Sequence, residues 1–256
     1  MKHQGTFFSV NTTGLYTNPG LRIRQVGAIG LPLTARDAQA VAAVCKQSPF
    51  GKGDETLVDE SVRKTWELDT TEFSCCNPAW TGYINKIAKQ AMQGLGVEAP
   101  GHAEAYKLLL YEQGAFFKAH RDTEKVPGMF GTLVVCLPSK HTGGEVRLSH
   151  GGKEKIIETA PTSAFDLTTL AWFSDVQHEI KAVKSGYRLV LTYNLVQDQS
   201  FPRQSATALD DTANKLERLL RIWQLHFSYQ ESFIYPLQHR YTEANLSLRH
   251  LKGQDA

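Results

Sequence analysis

No apolar run in this sequence approaches the roughly 20 residues that a membrane-spanning helix needs. The opening stretch MKHQGTFFSVNTTG has no continuous apolar segment of the kind a secretion signal carries. Cysteine is scarce: Cys45, the adjacent Cys75 and Cys76, and Cys136, none of them in a C-x-x-C spacing. That argues against a structural zinc site and against a disulfide framework. These absences lead us to expect a reducing intracellular compartment, cytoplasmic or nuclear, and no membrane partner. Excess charge of one sign is missing too. The 28 Lys and Arg against 26 Asp and Glu leave a net +2, with a pI of about 8.3. A dedicated nucleic-acid face usually lifts the pI above about 9, so nucleic acid is not the expected partner. Acidic substrates and small anions stay open. Internal repeats and low-complexity tracts are also absent.

What is present is ordinary globular composition: 256 residues, 41% apolar and 21% charged, enough to bury a sizeable core. The stretch LPLTARDAQAVAAVCKQSPFGKG reads as a helix with Thr34 as its N-cap and Ser48, Pro49 and Gly51 ending it. AWTGYINKIAKQAMQGLG spaces Trp80, Ile84, Ile87, Ala91 and Leu95 along one helical face and closes at Gly96. Beyond Gly101 the pattern shortens to AYKLLLYEQG, FFKAHRD, MFGTLVVCLPS, GGEVRLSH, EKIIET, SAFDLT, AWFSDVQHEIKAV and GYRLVLTYNLV. About eight β-branched and aromatic runs at this spacing predict a closed or double-sheet β architecture, a jelly roll or barrel. DDTANKLERLLRIWQLHF is helical again, with Leu216, Leu219, Leu220 and Trp223 on one side, and the tail YTEANLSLRHLKGQDA has no clear period. The expected organisation is a single domain over 1–256. It has helical N-terminal support over about 20–100, a β core over about 104–197, and a C-terminal helix and tail over 208–256. The fold class is mainly β with flanking helices.

One short pattern carries chemistry. His120 and Asp122 stand two residues apart in FFKAHRD, and on a strand such a pair shares a face. Alone, H-x-D says little: a hydrogen-bonded pair or a polar strand end would look the same. His102 and Glu104 form a similar pair with no partner pattern downstream, and are read as a structural or surface pair. His178 makes the difference. It lies in a strand-like run with Val176 and Ile180 on its face, and Arg188 opens another strand ten residues on. Two imidazoles and a carboxylate are the donor set of non-haem iron(II) sites that keep coordination positions open. A guanidinium near such a pocket suits a dicarboxylate, because its planar fork binds carboxylate through two hydrogen bonds. Each residue has a plain alternative, a core histidine for His178 and a surface ion pair for Arg188. The ordered set is harder to explain that way.

From Tyr106 to about Val196 the chain resembles the 2-oxoglutarate- and iron(II)-dependent oxygenases, in particular their prolyl 4-hydroxylase-like branch. The resemblance rests on YEQGAFFKAHRD, on the 56-residue step from Asp122 to His178, and on SDVQHEIKAVKSGYRLVLTYNL. It implies a double-stranded β-helix, iron(II) held by His120, Asp122 and His178, and Arg188 on the distal carboxylate of 2-oxoglutarate. Tyr111 would hydrogen-bond the same cosubstrate and Thr192 would line its pocket; plain strand packing is the alternative for both. The implied activity is hydroxylation of a side chain in a polypeptide, proline favoured, with O2 consumed, succinate and CO2 released, and ascorbate supportive. The same fold acting on a small molecule, a free amino acid or nucleic acid is one alternative, and a non-catalytic binding module is another. The chain is also similar to the catalytic portion of larger fungal members of that branch, so we expect it to be a piece of a longer protein. The turn-rich TEKVPGMFG is expected at the lip of a substrate groove. Arg63 and Trp66, which precede the β core, are expected on a loop or a helix surface.

Overall fold

The computed structural model describes residues 6–52, 55–57, 59–209 and 211–226. Eight strands make its core: Gly101–Tyr111, Phe116–His120, Met129–Cys136, Val146–His150, Lys153–Ile157, Leu167–Phe173, Gln177–Ile180 and Arg188–Gln197. Successive strands cross from one antiparallel sheet to the other, apart from the Val146–His150 and Lys153–Ile157 hairpin, which stays in one sheet. The larger sheet runs in the order Phe8–Thr13, Leu167–Phe173, Met129–Cys136, Arg188–Gln197, Gly101–Tyr111, Trp66–Asp69, Lys46–Gln47. The smaller runs Lys153–Ile157, Val146–His150, Gln177–Ile180, Phe116–His120, Arg63–Lys64. This is the double-sheet β architecture expected from the strand spacing, in the double-stranded β-helix form that the resemblance implies.

Composition explains which sheet is central. Leu167–Phe173 and Arg188–Gln197 are buried along their whole length, as strands covered on both faces must be, and they are rich in leucine, valine and aromatics. Lys153–Ile157 forms the edge of the smaller sheet, and its Lys-Glu-Lys start discourages further pairing there.

The outer face of the larger sheet is covered by helix α2, Ala79–Leu95. Trp80, Ile84, Ile87, Ala88, Ala91, Met92 and Leu95 are its buried residues, an i, i+3, i+4 stripe. The Trp80 indole donates to Tyr193 Oη at 3.1 Å, which fixes the start of the helix against the sheet's central strand. The helix stops where Gly96 turns left-handed, at φ +76°, and the N–H of Val97 returns to the Met92 carbonyl. Helix α1, Ala35–Val44, begins at Thr34, whose Oγ1 accepts the Asp37 N–H at 3.1 Å.

Four expectations need correcting. Helix α1 ends at Val44, not near Ser48, because Lys46–Gln47 pairs with the Trp66–Asp69 strand. The segment 20–100 is not purely helical. It adds short strands to both sheets, and Leu21–Ile23, Gly27–Ala28 and Phe73–Cys75 form a small sheet of their own. No element was expected before about residue 20, but Phe8–Thr13 pairs along its length with Leu167–Phe173. SAFDLT and AWFSDVQHEIKAV are cut elsewhere: LTTLAWF is one strand, preceded by a 3-10 turn at Ala160–Thr162 and followed by a turn before Gln177. Helix α3, Asp211–His226, forms as expected, but Leu219, Leu220, Ile222 and Leu225 on it are exposed. The side chain of Leu216 and the tail 227–256 lie outside the described residues.

Candidate metal and cosubstrate site

A cavity of about 410 Å³ opens between the two sheets. The smaller sheet brings His120 and His178 to it as direct cross-strand partners, their ring centroids 4.1 Å apart. The register between these strands slips by one residue between Phe117 and His120, a β-bulge. With a strict period of two, residues three apart would point to opposite faces. The bulge puts Phe117 and His120 on the same side, and their rings stack with centroids 3.5 Å apart. The strand ends at His120. Asp122 is therefore delivered by the following loop rather than by strand alternation, which corrects the reason given for pairing it with His120.

Each ligand candidate is held by its own second partner. His120 Nδ1 lies 2.8 Å from the Lys118 carbonyl and His178 Nδ1 lies 3.4 Å from the Val176 carbonyl. A carbonyl only accepts, so both Nδ1 atoms carry the proton and both Nε2 lone pairs are left for a metal. Asp122 Oδ2 accepts from Thr132 Oγ1 at 2.7 Å and from the Trp172 indole at 3.2 Å, while Oδ1 sits 3.7 Å from His178 Nε2. One carboxylate oxygen is tied to the larger sheet and the other faces the histidines. Ligand atoms of His120, Asp122 and His178 all lie within 4.8 Å of one another. Two imidazole nitrogens and one carboxylate oxygen suit a divalent transition metal and leave positions open on it.

Protonation favours the same role. Burial, and then the neighbouring His178, push the His120 imidazole down to about 3, so at neutral pH it is in the ligating form. Burial alone would raise the Asp122 carboxyl. The adjacent histidines and the Thr132 and Trp172 hydrogen bonds outweigh it and hold that group below the usual carboxylate range.

Farther along the central strand, Arg188, Val190, Thr192 and Asn194 alternate into the cavity wall. Arg188 is 1% exposed. Nη2 reaches Cys136 Sγ at 3.4 Å, and the guanidinium carbon lies 5.5 Å from the Tyr111 ring centroid. Among the described residues, Nε and Nη1 have no hydrogen-bond partner. A buried guanidinium without an anion is costly by several kcal/mol. An anion is what its unmet N–H groups lack. Tyr111 also lines the cavity, whereas Thr192 spends its hydroxyl on the Lys107 backbone, donating to its carbonyl at 3.0 Å and accepting from its N–H at 3.1 Å.

All six sequence-predicted site residues thus line one cavity. His102 and Glu104 do not; they pair with each other at 2.9 Å on an exposed surface, as expected. The lip expected at TEKVPGMFG contributes Thr123, Lys125 and Met129 to the lining. Arg63 and Trp66 lie on short strands, not on a loop or helix surface. Arg63 is in the cavity wall, with its guanidinium 4.5 Å from the centroid of the Phe117 ring. Sequence reading missed Thr132 and Trp172, which hold Asp122, and the buried Glu67–Lys107 ion pair at 2.8 Å in the same wall. No local pattern marks them, because each is set by sheet register. A second β-bulge, between Ala105 and Lys107, brings Tyr106 and Lys107 to the cavity together.

Residues 106–196 match the family model described as the 2OG-Fe(II) oxygenase superfamily. No match was found among curated proteins. Among solved structures, the chain is similar to a Pseudomonas putida prolyl-4-hydroxylase, with 19% identity, TM-score 0.49, and 75% of this chain and 94% of that one covered. It is also similar to a Trichoplax adhaerens prolyl hydroxylase in complex with a hypoxia inducible factor oxygen degradation domain peptide fragment, with 14% identity, TM-score 0.48, and coverage of 75% and 84%. A third is a viral collagen prolyl hydroxylase from Paramecium Bursaria Chlorella virus-1, with 12% identity, TM-score 0.40, and coverage of 76% and 98%. At these scores the three add nothing to what the residues themselves carry.

Proposed function

We propose that the protein, whose residues 106–196 match the 2OG-Fe(II) oxygenase superfamily model, hydroxylates a side chain in a polypeptide, proline favoured, consuming O2 and 2-oxoglutarate. One observation supports this most: a buried guanidinium with two unpartnered nitrogens shares a cavity with a two-histidine, one-carboxylate cluster. A diacid that bridges the two satisfies both. His120, Asp122 and His178 would hold the metal, Arg188 the distal carboxylate of 2-oxoglutarate, and Tyr111 the same carboxylate from the side. Thr192 shapes the wall between them. Iron(II) bound there supplies O2 activation and the oxidative decarboxylation of 2-oxoglutarate to succinate and CO2, with one oxygen atom inserted into a substrate C–H bond.

The chain's own contribution is placement. The carbonyls of Lys118 and Val176 hold the imidazoles by their Nδ1 protons, and Thr132 and Trp172 keep Asp122 presenting a single oxygen. Leu109, Val134, Ile180 and Val190 keep the cavity wall apolar, which strengthens the Arg188 interaction. The cavity falls in the size range that takes drug-sized ligands and exceeds what a five-carbon diacid fills. It extends to the exposed Lys125, so a segment of a larger substrate can reach the metal from that side. Ascorbate would support repeated turnover.

The test is succinate release by purified protein with iron(II), 2-oxoglutarate and an arrayed peptide library, for wild type, His178→Ala and Asp122→Ala. Turnover that persists equally in both variants removes the metal assignment. Turnover of free amino acids or oligonucleotides but of no peptide removes the polypeptide substrate and leaves the chemistry.

A further inference from the structure

Among the described residues, the cavity is lined by six basic side chains, Arg63, Lys107, Lys118, Arg121, Lys125 and Arg188, and by two acidic ones, Glu67 and Asp122. Neither acid is available to a ligand of opposite charge. Asp122 is a metal ligand candidate, and Glu67, 2% exposed, is taken by Lys107. Lys107 is further matched by Asp69, and Arg188 is assigned to the cosubstrate. Among the described residues, Arg63, Lys118 and Lys125 make no ion pair. Lys125 Nζ donates, among the described residues, to Thr123 Oγ1 at 2.7 Å and to no other group. Arg63 gives Nη1 to the Pro49 carbonyl at 2.7 Å and leaves its buried Nε unpartnered. A bound divalent metal adds positive charge. The 2-oxoglutarate dianion offsets no more than that metal–Asp122 centre and Arg188 together. The remaining surplus is concentrated around the cavity, where low-dielectric walls focus it.

We propose that the substrate segment carries a carboxylate side chain next to the residue that is hydroxylated, and that Lys125 and Arg63 receive it. This rests on the polypeptide reading above. Arg63 is positioned for the task. Its guanidinium lies over Phe117, and Phe117 stacks on His120, so an anion at Arg63 sits one ring away from a metal ligand. Lys125 lies three residues beyond Asp122, in the loop that supplies that ligand. A carboxylate bound between them would lie beside the metal without competing for it. A basic substrate would instead bring a like charge into the surplus and be rejected.

Succinate release is measured with matched peptides that differ only in an Asp, Asn or Lys at each position flanking the reactive residue. For wild type we expect kcat/KM for the Asp peptide at one flanking position to exceed that of its Asn partner by about tenfold, mainly through KM. We expect the Lys peptide to be poorer still, and the gap to narrow as salt is raised. Lys125→Glu should reverse the order, improving the Lys peptide and weakening the Asp peptide, and Arg63→Gln should shrink the difference. Peptides turned over alike whatever their charge would overturn the proposal while leaving the polypeptide reading intact. Turnover of no peptide, with a small acid accepted, would overturn the polypeptide reading and this proposal with it. The wild-type comparison and its salt dependence decide the matter even if a variant does not fold.

Discussion

Thr132 would govern the proposed metal ligands without being one. Its hydroxyl donates to the Asp122 oxygen that faces away from the histidines, so the other oxygen is the one presented to a metal. Thr132→Val keeps the shape and removes the donor. We expect iron affinity to fall on the order of 10–100-fold, with Thr132→Ser retaining most of it, as read by metal titration. Arg188 makes the opposite case, since its charge is a liability until an anion arrives. Arg188→Met should leave the protein without bound 2-oxoglutarate at least as stable as wild type, and by as much as about 1–4 kcal/mol more stable, in a denaturant titration. The same variant should raise the 2-oxoglutarate concentration needed for turnover well beyond the wild-type requirement. An unchanged requirement would remove Arg188 from the cosubstrate.

Among the elements, the bulged Phe116–His120 strand sets the site. Deleting Ala119 should restore plain alternation and leave His120 two residues from Phe117, on the same face and still opposite His178. We expect metal binding to persist in a titration while far-UV circular dichroism reports an unchanged β core; lost binding would mean that the bulge itself is needed to place the loop of Asp122. This strand also shows what the sequence made legible. His120, Asp122, His178 and Arg188, which line one cavity, could be singled out because the chemistry of that set is specific. The bulge could not, because FFKAH holds no glycine or proline to mark it. LTTLAWF was split because its apolar character runs on through a turn with no glycine or proline signal. Arg63 was misplaced and Glu67 missed because strands of two and four residues show no period. The start of α1 and the end of α2 were read well, because Thr34 and Gly96 are caps whose chemistry is local.

For the molecule as a whole, acid sensitivity follows from a histidine that is no ligand. His141 is 4% exposed, with Nδ1 donating to the Ser139 carbonyl at 2.8 Å and Nε2 lying 3.2 Å from Thr159 Oγ1. Burial, with Arg188 nearby, pushes its imidazole from the ordinary 6.5 down to about 4. Between those values the unfolded chain holds a proton that the folded chain refuses, so stability is lost as pH falls from about 6.5 toward 4. His141→Gln should flatten that slope in thermal melts taken across the interval. A slope identical to wild type would assign the sensitivity to other groups.

The position of Asp122 has a mechanical consequence. Its loop leaves the smaller sheet, yet one of its oxygens is fastened to Met129–Cys136 and Leu167–Phe173 in the larger. Any ion shared by Asp122 and the two histidines is therefore a rivet through both layers, and without it the smaller sheet is fastened there by a single carboxylate. Chelation should then speed amide hydrogen exchange in Phe116–His120 and Gln177–Ile180, while Arg188–Gln197 stays slow. Such a pattern would make metal occupancy a brake on the breathing of one wall of the cavity.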